Sequence, residues 1–269
     1  MKSNFLNVVL LIFILNISVV KGQEQEGASA EQLAKQLANP VASLISVPFQ
    51  NNFNFGIGPF DGFQYLLNIQ PVVPISISEK WNMISRTIIP FISQSDVTGK
   101  GKSETGLGDI AQSIFFSPKE VKNGIVWGAG PIFLLPTATD NKLGANKWAI
   151  GPNVLLLKLQ GPWTYGALVN QLWSVGGNGN TDINTFFFQP FATYATPGGV
   201  SYTIASENTQ SWDNNIFGGF VGVYYAKVVK LNKQMLQLSG GPKIHYGNNP
   251  FNADWGIRIN IILLYPKQK

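Results

Sequence analysis

Six side chains bring charge or an imidazole into the middle of otherwise uncharged segments: Arg86, Asp109, Glu207, Lys243, His245 and Arg258. Imidazole is the side chain best suited to move protons near neutral pH, and His245 is the only histidine in the chain. A histidine-activated nucleophile needs a serine beside it. Here Gly247 stands two residues on, and Ser239 lies six residues back. With no cysteine there is no disulfide, thiol nucleophile or thiolate metal site. One histidine cannot build a histidine zinc centre, so neither a metal nor any other cofactor is expected. The stretch Thr98-Gly99-Lys100-Gly101-Lys102 lacks the spacing of a phosphate-binding loop, and its lysines read as solvated loop charges. What remains is electrostatic: fixed charges on a wall, with Asp109 able to pair with Arg86 or Arg258. Such a pair is either a structural salt bridge or a charged constriction. The chain is read as a non-enzyme.

The elements that must carry these six residues are strands. In residues 45–57 the odd positions include Ile45, Val47, Phe49, Phe53, Phe55 and Ile57, and the even ones Ser46, Gln50, Asn52 and Asn54. Residues 63–77 alternate in the same way, and so does the last segment, with Trp255, Ile257, Ile259, Ile261 and Leu263 against Gly256, Arg258 and Asn260. A period of two puts one apolar and one polar face on each strand. About twelve such strands follow, near 44–57, 63–77, 81–93, 106–117, 124–137, 148–160, 163–175, 184–195, 200–212, 216–229, 234–246 and 254–265. Prolines within the first two weaken the pattern locally, and the fifth is apolar on both faces. His245 shares the register of Lys243, Gly241 and Ser239, opposite Ile244 and Tyr246.

Charged residues are only 12% of the 269, about half the usual share, and the mean hydropathy is still only +0.08. Asn, Gln, Ser, Thr and Gly stand where charge would be. This excludes a helical membrane protein, a disordered chain and a coiled coil. Met1 to Gly22 has one early lysine, an apolar middle and a small residue before Gln23, which reads as an export signal. Its removal takes two lysines from a formal net charge of +5; so mild a charge on an exported chain gives no reason to expect nucleic acid. Residues 23–43 form a short segment with one helix over 29–39, where Ser29 and Gln32 have capping-box spacing and Pro40 ends it. That helix is a plug or a tether.

Residues 44–269 are expected to form a transmembrane antiparallel up-and-down β-barrel. A soluble sandwich carries charges on its exposed strand faces; here nearly all charges fall in loops, turns and strand ends. A polar face of uncharged side chains suits a lumen, and the apolar face suits lipid. Turns after even-numbered strands are tight, as at Gly161-Pro162 and Thr196 to Gly199, and most others are longer, as at Gln94 to Thr105. Sorting of this kind belongs to outer-membrane barrels, with both termini on the short-turn, periplasmic side. All seven tryptophans fall near strand ends, where indole meets the headgroup zone.

Residues 37–59 (LANPVASLISVPFQNNFNFGIGP), 106–109 (GLGD), 128–140 (GAGPIFLLPTATD), 147–152 (KWAIGP) and 161–175 (GPWTYGALVNQLWSV) resemble the family of outer-membrane transporters named for the meta-pathway of phenol degradation. The resemblance runs from about Leu37 to Pro266. It implies a Gram-negative outer-membrane barrel linked to uptake of small aromatic or other hydrophobic solutes, and it brings no catalytic or ligand residues. Outer-membrane lipid, a small-molecule solute and the barrel-insertion machinery are the expected partners. The chain departs from barrels that end on an aromatic residue, since Pro266 to Lys269 follow Tyr265. The other reading is a closed barrel with a structural or binding role in the outer membrane and no transport.

Overall fold

A computed structural model describes residues 30–38, 44–232 and 234–265. The expected export signal, Ser29, Pro40 and the tail after Tyr265 lie outside these residues. No helix among the described residues is long and apolar enough to cross a membrane. The chain forms α1 (Ala30–Leu37) and then β1 (Ile45–Ile57), β2 (Gly62–Ile69), β3 (Val72–Ser76), β4 (Trp81–Ser95), β5 (Ser103–Leu107), β6 (Ile110–Pro118) and β7 (Ile125–Leu135). It continues through β8 (Lys147–Gln160), β9 (Trp163–Gly177), β10 (Asn184–Ala195), β11 (Val200–Ser211), β12 (Ile216–Leu231), β13 (Gln234–Gly247) and β14 (Trp255–Tyr265). Each strand pairs antiparallel with its neighbours, and β14 returns to β1 from Ile45↔Tyr265 to Phe55↔Trp255. The sheet is therefore a closed barrel of twelve staves.

Two staves are interrupted, each for a local reason. Pro71 has no N–H for the ladder, and the second stave divides there into β2 and β3. The break is stitched by Gln70 N donating to Pro48 O (2.9 Å) and Thr87 N donating to Pro71 O (3.1 Å). The fourth stave divides at Gly108-Asp109 into β5 and β6, while Gly108 N still donates to Pro90 O at 2.9 Å. That stave also begins at Ser103, and β4 runs to Ser95, so the loop expected over 94–105 is partly strand. At the connections Asp61, Asp96, Asn123, Asn146, Asn215 and Asn232 take positive φ, a conformation that Asn and Asp tolerate better than other side-chain-bearing residues.

Burial is inverted relative to a water-soluble protein. Asn52, Asn153, Lys243 and Arg258 are 1, 1, 3 and 6% exposed, whereas Leu156, Ile204, Val223 and Ile244 are 55, 52, 53 and 64% exposed. This arrangement is stable only where the outside is hydrocarbon. All seven tryptophans are exposed. Trp81, Trp127 and Trp163 ring the short-turn rim, and Trp148, Trp173, Trp212 and Trp255 ring the long-loop rim. Ring pairs reinforce both belts: Trp81 meets Trp127 edge-on at 5.7 Å, and Trp255 stacks on Phe55 at 4.5 Å. Polar side chains on the outer face bond one another, as when Gln112 donates to Ser85 Oγ (3.0 Å) and accepts from Thr87 Oγ1 (2.6 Å).

The lumen is not polar throughout. Toward the short-turn rim its wall is a packed apolar cluster of Ile84, Phe115, Val126, Leu155, Leu157 and Leu168, with Phe187 and Phe191 against it. This explains why β7 and β8 are apolar on both faces: one faces lipid and the other an internal core. Helix α1 closes the same rim. Its apolar stripe Ala30, Leu33, Ala34 and Leu37 has the spacing of one helical face and packs on Leu44, Val228, Ile262 and Leu264. Gly199, at φ +79°, passes so close beneath the helix that a Cβ there would lie 2.8 Å from that of Ala30. Val154 projects outward near the middle of β8, at 46% exposed. Val154→Arg is expected to lower unfolding stability in liposomes by about 2–4 kcal/mol, read from denaturant titration against the unaltered barrel.

Candidate functional site

Five adjacent staves place one charged layer on the inner wall. Glu207 on β11 pairs with Phe220 on β12, which pairs with His245 on β13. Lys243 sits between Gly222 and Gly256, and Arg258 on β14 lies between Gly241 and Asn52 of β1. The glycines are there because the wall needs the space. A Cβ on Gly256 would lie 2.8 Å from Lys243 Cε, and one on Gly222 would lie 2.1 Å from the Tyr224 hydroxyl. The long side chains therefore lie along the wall.

Arg258 Nη1 meets Glu207 Oε1 at 2.7 Å, and Arg258 Nε donates to Asn52 Oδ1 at 2.8 Å. Lys243 Nζ donates to the same Asn52 oxygen at 3.2 Å. Both cations lie over the Phe220 ring, at 4.6 Å for Lys243 and 4.9 Å for Arg258, and Arg258 is 5.6 Å from the Tyr224 ring. Such contacts are worth roughly 0.5–2 kcal/mol each where water is excluded. The His245 ring packs 5.2 Å from Phe220. The Ser239 hydroxyl accepts from Asn260 at 3.0 Å.

Arg86 is on β4, across the lumen from this arc, and donates from Nη2 to Gln70 Oε1 at 2.8 Å. Gln189 on β10, the strand beside β11, donates to Glu207 Oε1 at 3.2 Å. Asp109 is placed differently from the lumen pairing expected of it. It accepts from the backbone N–H of Ala138 (3.1 Å) and of Ala145 (2.6 Å), and so pins the loop between β7 and β8 over the long-loop rim. Its position at the break between β5 and β6 turns it toward that loop. Gly144 allows the approach, since a Cβ there would fall 2.7 Å from the Asp109 carboxylate. Farther along the rim, the hydrogen bond from Lys147 (2.9 Å), aided by its charge, holds the Asp182 carboxyl below the usual carboxylate range.

Between α1 and the wall lies a cavity of about 190 Å³, lined by Gln36 and Leu37 of α1 and, on the wall, by Gln70, Arg86, Gln189, Leu155, Leu168 and Phe191 among others. Of its polar lining, only Arg86 was singled out by the sequence. Gln70 and Gln189 look like any other amide on a polar strand face, and only the closed barrel shows that they line one cavity. The described residues hold no group of three or more His, Asp or Glu suited to a metal.

No protein-family model matches the chain, and no curated protein matches it. Among solved structures, an outer membrane channel from Pseudomonas putida F1 superposes with a TM-score of 0.69 at 14% identity, covering 92% of this chain and 100% of that one. The NanC porin gives 0.48 at 10% identity, covering 82% and 100%, and the Salmonella typhi outer membrane phospholipase 0.46 at 11%, covering 89% and 99%. The first of these similarities shows the fold: this chain is an outer-membrane-type β-barrel.

Removing one member of a buried ion pair strands the other charge. Glu207→Ala is expected to cost about 3 kcal/mol, the lower end of the range for such pairs because Glu207 keeps 22% of its side chain exposed. In Glu207→Leu with Arg258→Met, most of that loss should return; denaturant midpoints of the refolded barrels measure both.

Proposed function

We propose that the protein is an outer-membrane channel for small solutes, entered at the long-loop rim and gated at the short-turn rim by α1. One observation carries this reading: a helix that is no part of the barrel wall sits in the mouth of the lumen, over an internal cavity. Its attachment is modest. Leu33 is its one fully buried large side chain, worth roughly 1.5–3 kcal/mol of apolar burial, so displacement lies within reach of thermal or ligand-driven opening. The fold shared with a solved outer membrane channel supports the reading, as does the sequence resemblance to a transporter family. The sorting of short turns and longer loops supports the assignment of the α1 rim to the periplasm. The outer leaflet then faces the loop held by Asp109. No step of this reading calls for an enzyme, and the solute class implied by the resemblance is small and hydrophobic or aromatic.

A second reading, a closed barrel with a structural role, draws on the interior core and the bonded charge layer, which fill much of the lumen. Conductance separates the two. The refolded barrel in planar bilayers should show small, intermittent steps, and deletion of residues 23–43 should raise the mean conductance several-fold. If both forms are silent, the channel reading is wrong and the closed-barrel reading stands.

A further inference from the structure

The cavity beneath α1 has one charged group and an apolar body. Val72, Leu155, Leu168, Phe191 and Ile262 are among its apolar lining, and Gln36, Ser46, Gln70, Gln189 and Arg86 are its polar lining. Guanidinium carries five N–H donors in a planar fork suited to carboxylate. The protein hydrogen bond made by Arg86 engages one nitrogen, to Gln70 Oε1. Among the described residues Arg86 has no carboxylate within ion-pair distance, because Glu207, the acid of this layer, is taken by Arg258 at 2.7 Å. Arg86, Lys243 and Arg258 thus face a single acid there. Glu207 attracts Arg86 only from a distance. A cation held at an apolar cavity with no carboxylate in contact is costly, and an anion arriving with its own apolar body would satisfy both surfaces.

We propose that this cavity is a binding site for a small amphipathic monocarboxylate, its carboxylate on Arg86 and its apolar part against Leu155, Leu168 and Phe191. The inference rests on the channel reading for its role in transport, but the binding site itself is independent of conductance. A volume of about 190 Å³ is below the roughly 300 Å³ at which drug-sized pockets begin, which limits the ligand to a short aliphatic or single-ring acid. Gln36 and Leu37 of α1 form one side of the cavity, so the same helix that closes the mouth also covers the ligand. Gln189 reaches from the cavity to Glu207 on the adjacent strand and so links an occupied site to the charged layer. Glu207, Lys243 and Arg258 then lie on the approach from the long-loop rim, with two cations to draw an anion inward.

The test is calorimetric titration of the full-length barrel in detergent with hexanoate and benzoate, each set against its neutral amide. The carboxylates should bind about tenfold or more tightly than hexanamide and benzamide, as expected when a charge-assisted hydrogen bond is lost. Arg86→Gln should erase that preference, while Arg86→Lys keeps part of it. Equal or tighter binding of the amides, or unchanged carboxylate affinity in Arg86→Gln, overturns the proposal. Heat-modifiable gel migration reports whether the variants fold; should Arg86→Gln not fold, the ligand series on the unaltered chain decides alone. Binding of hexanoate by a barrel that never conducts would retain the site and remove the channel. Conductance without a preference for carboxylates would do the reverse.

Discussion

The structure depends on the pairing of β1 with β14. In hydrocarbon no water can satisfy a bare strand edge, and each unpaired backbone group costs several kcal/mol. The pairing from Ile45↔Tyr265 to Phe55↔Trp255 removes the last edge. It also sets register: Asn52 is brought opposite Arg258, with Phe53 and Ile257 facing outward beside them. A slip of one residue would turn every buried amide toward lipid and every apolar side chain inward. Closure and the charged layer are therefore one constraint seen from two sides of the sheet.

Within the cylinder the two halves of the lumen do different work. The wall toward the short-turn rim is packed like a soluble core, with Phe115, Leu155 and Leu157 almost wholly buried. The middle is a hydrogen-bonded charge layer held by Asn52, Glu207 and Arg258. Rigid packing below and a bonded layer above leave α1 as the element with least to hold it. If the barrel opens, that helix is where it costs least, and the cavity beside Arg86 lies directly behind it.

Most of the barrel was legible in the sequence, since β1 and β14 alternate in apolar and polar side chains and most of the tight turns carry Gly, Pro or Asn. The inward side of Lys243, His245 and Arg258 followed from the same period of two. Asp109 was not legible: its role depends on the amides of Ala138 and Ala145, which reach it through a loop that no strand period describes. The apolar lumen was not legible either. In β8 the run from Val154 to Leu157 reads alike on both faces, because one face meets lipid and the other meets side chains from across the barrel. Hydropathy registers the absence of water and cannot tell those two surroundings apart. Gly222 in the middle of β12 and Gly256 near the start of β14 were the available sign that long side chains lie along this wall.

Val154 and Leu155 are neighbours of similar apolarity, and only the geometry of the barrel distinguishes them: one faces outward at 46% exposed, the other is fully buried inside. The chain has no cysteine, so a single cysteine placed at either position can carry an environment-sensitive fluorophore in liposomes containing a spin-labelled phospholipid. The probe at 154 should be strongly quenched by the lipid and the probe at 155 scarcely at all. Equal quenching, or stronger quenching at 155, would contradict a barrel with this side facing the membrane.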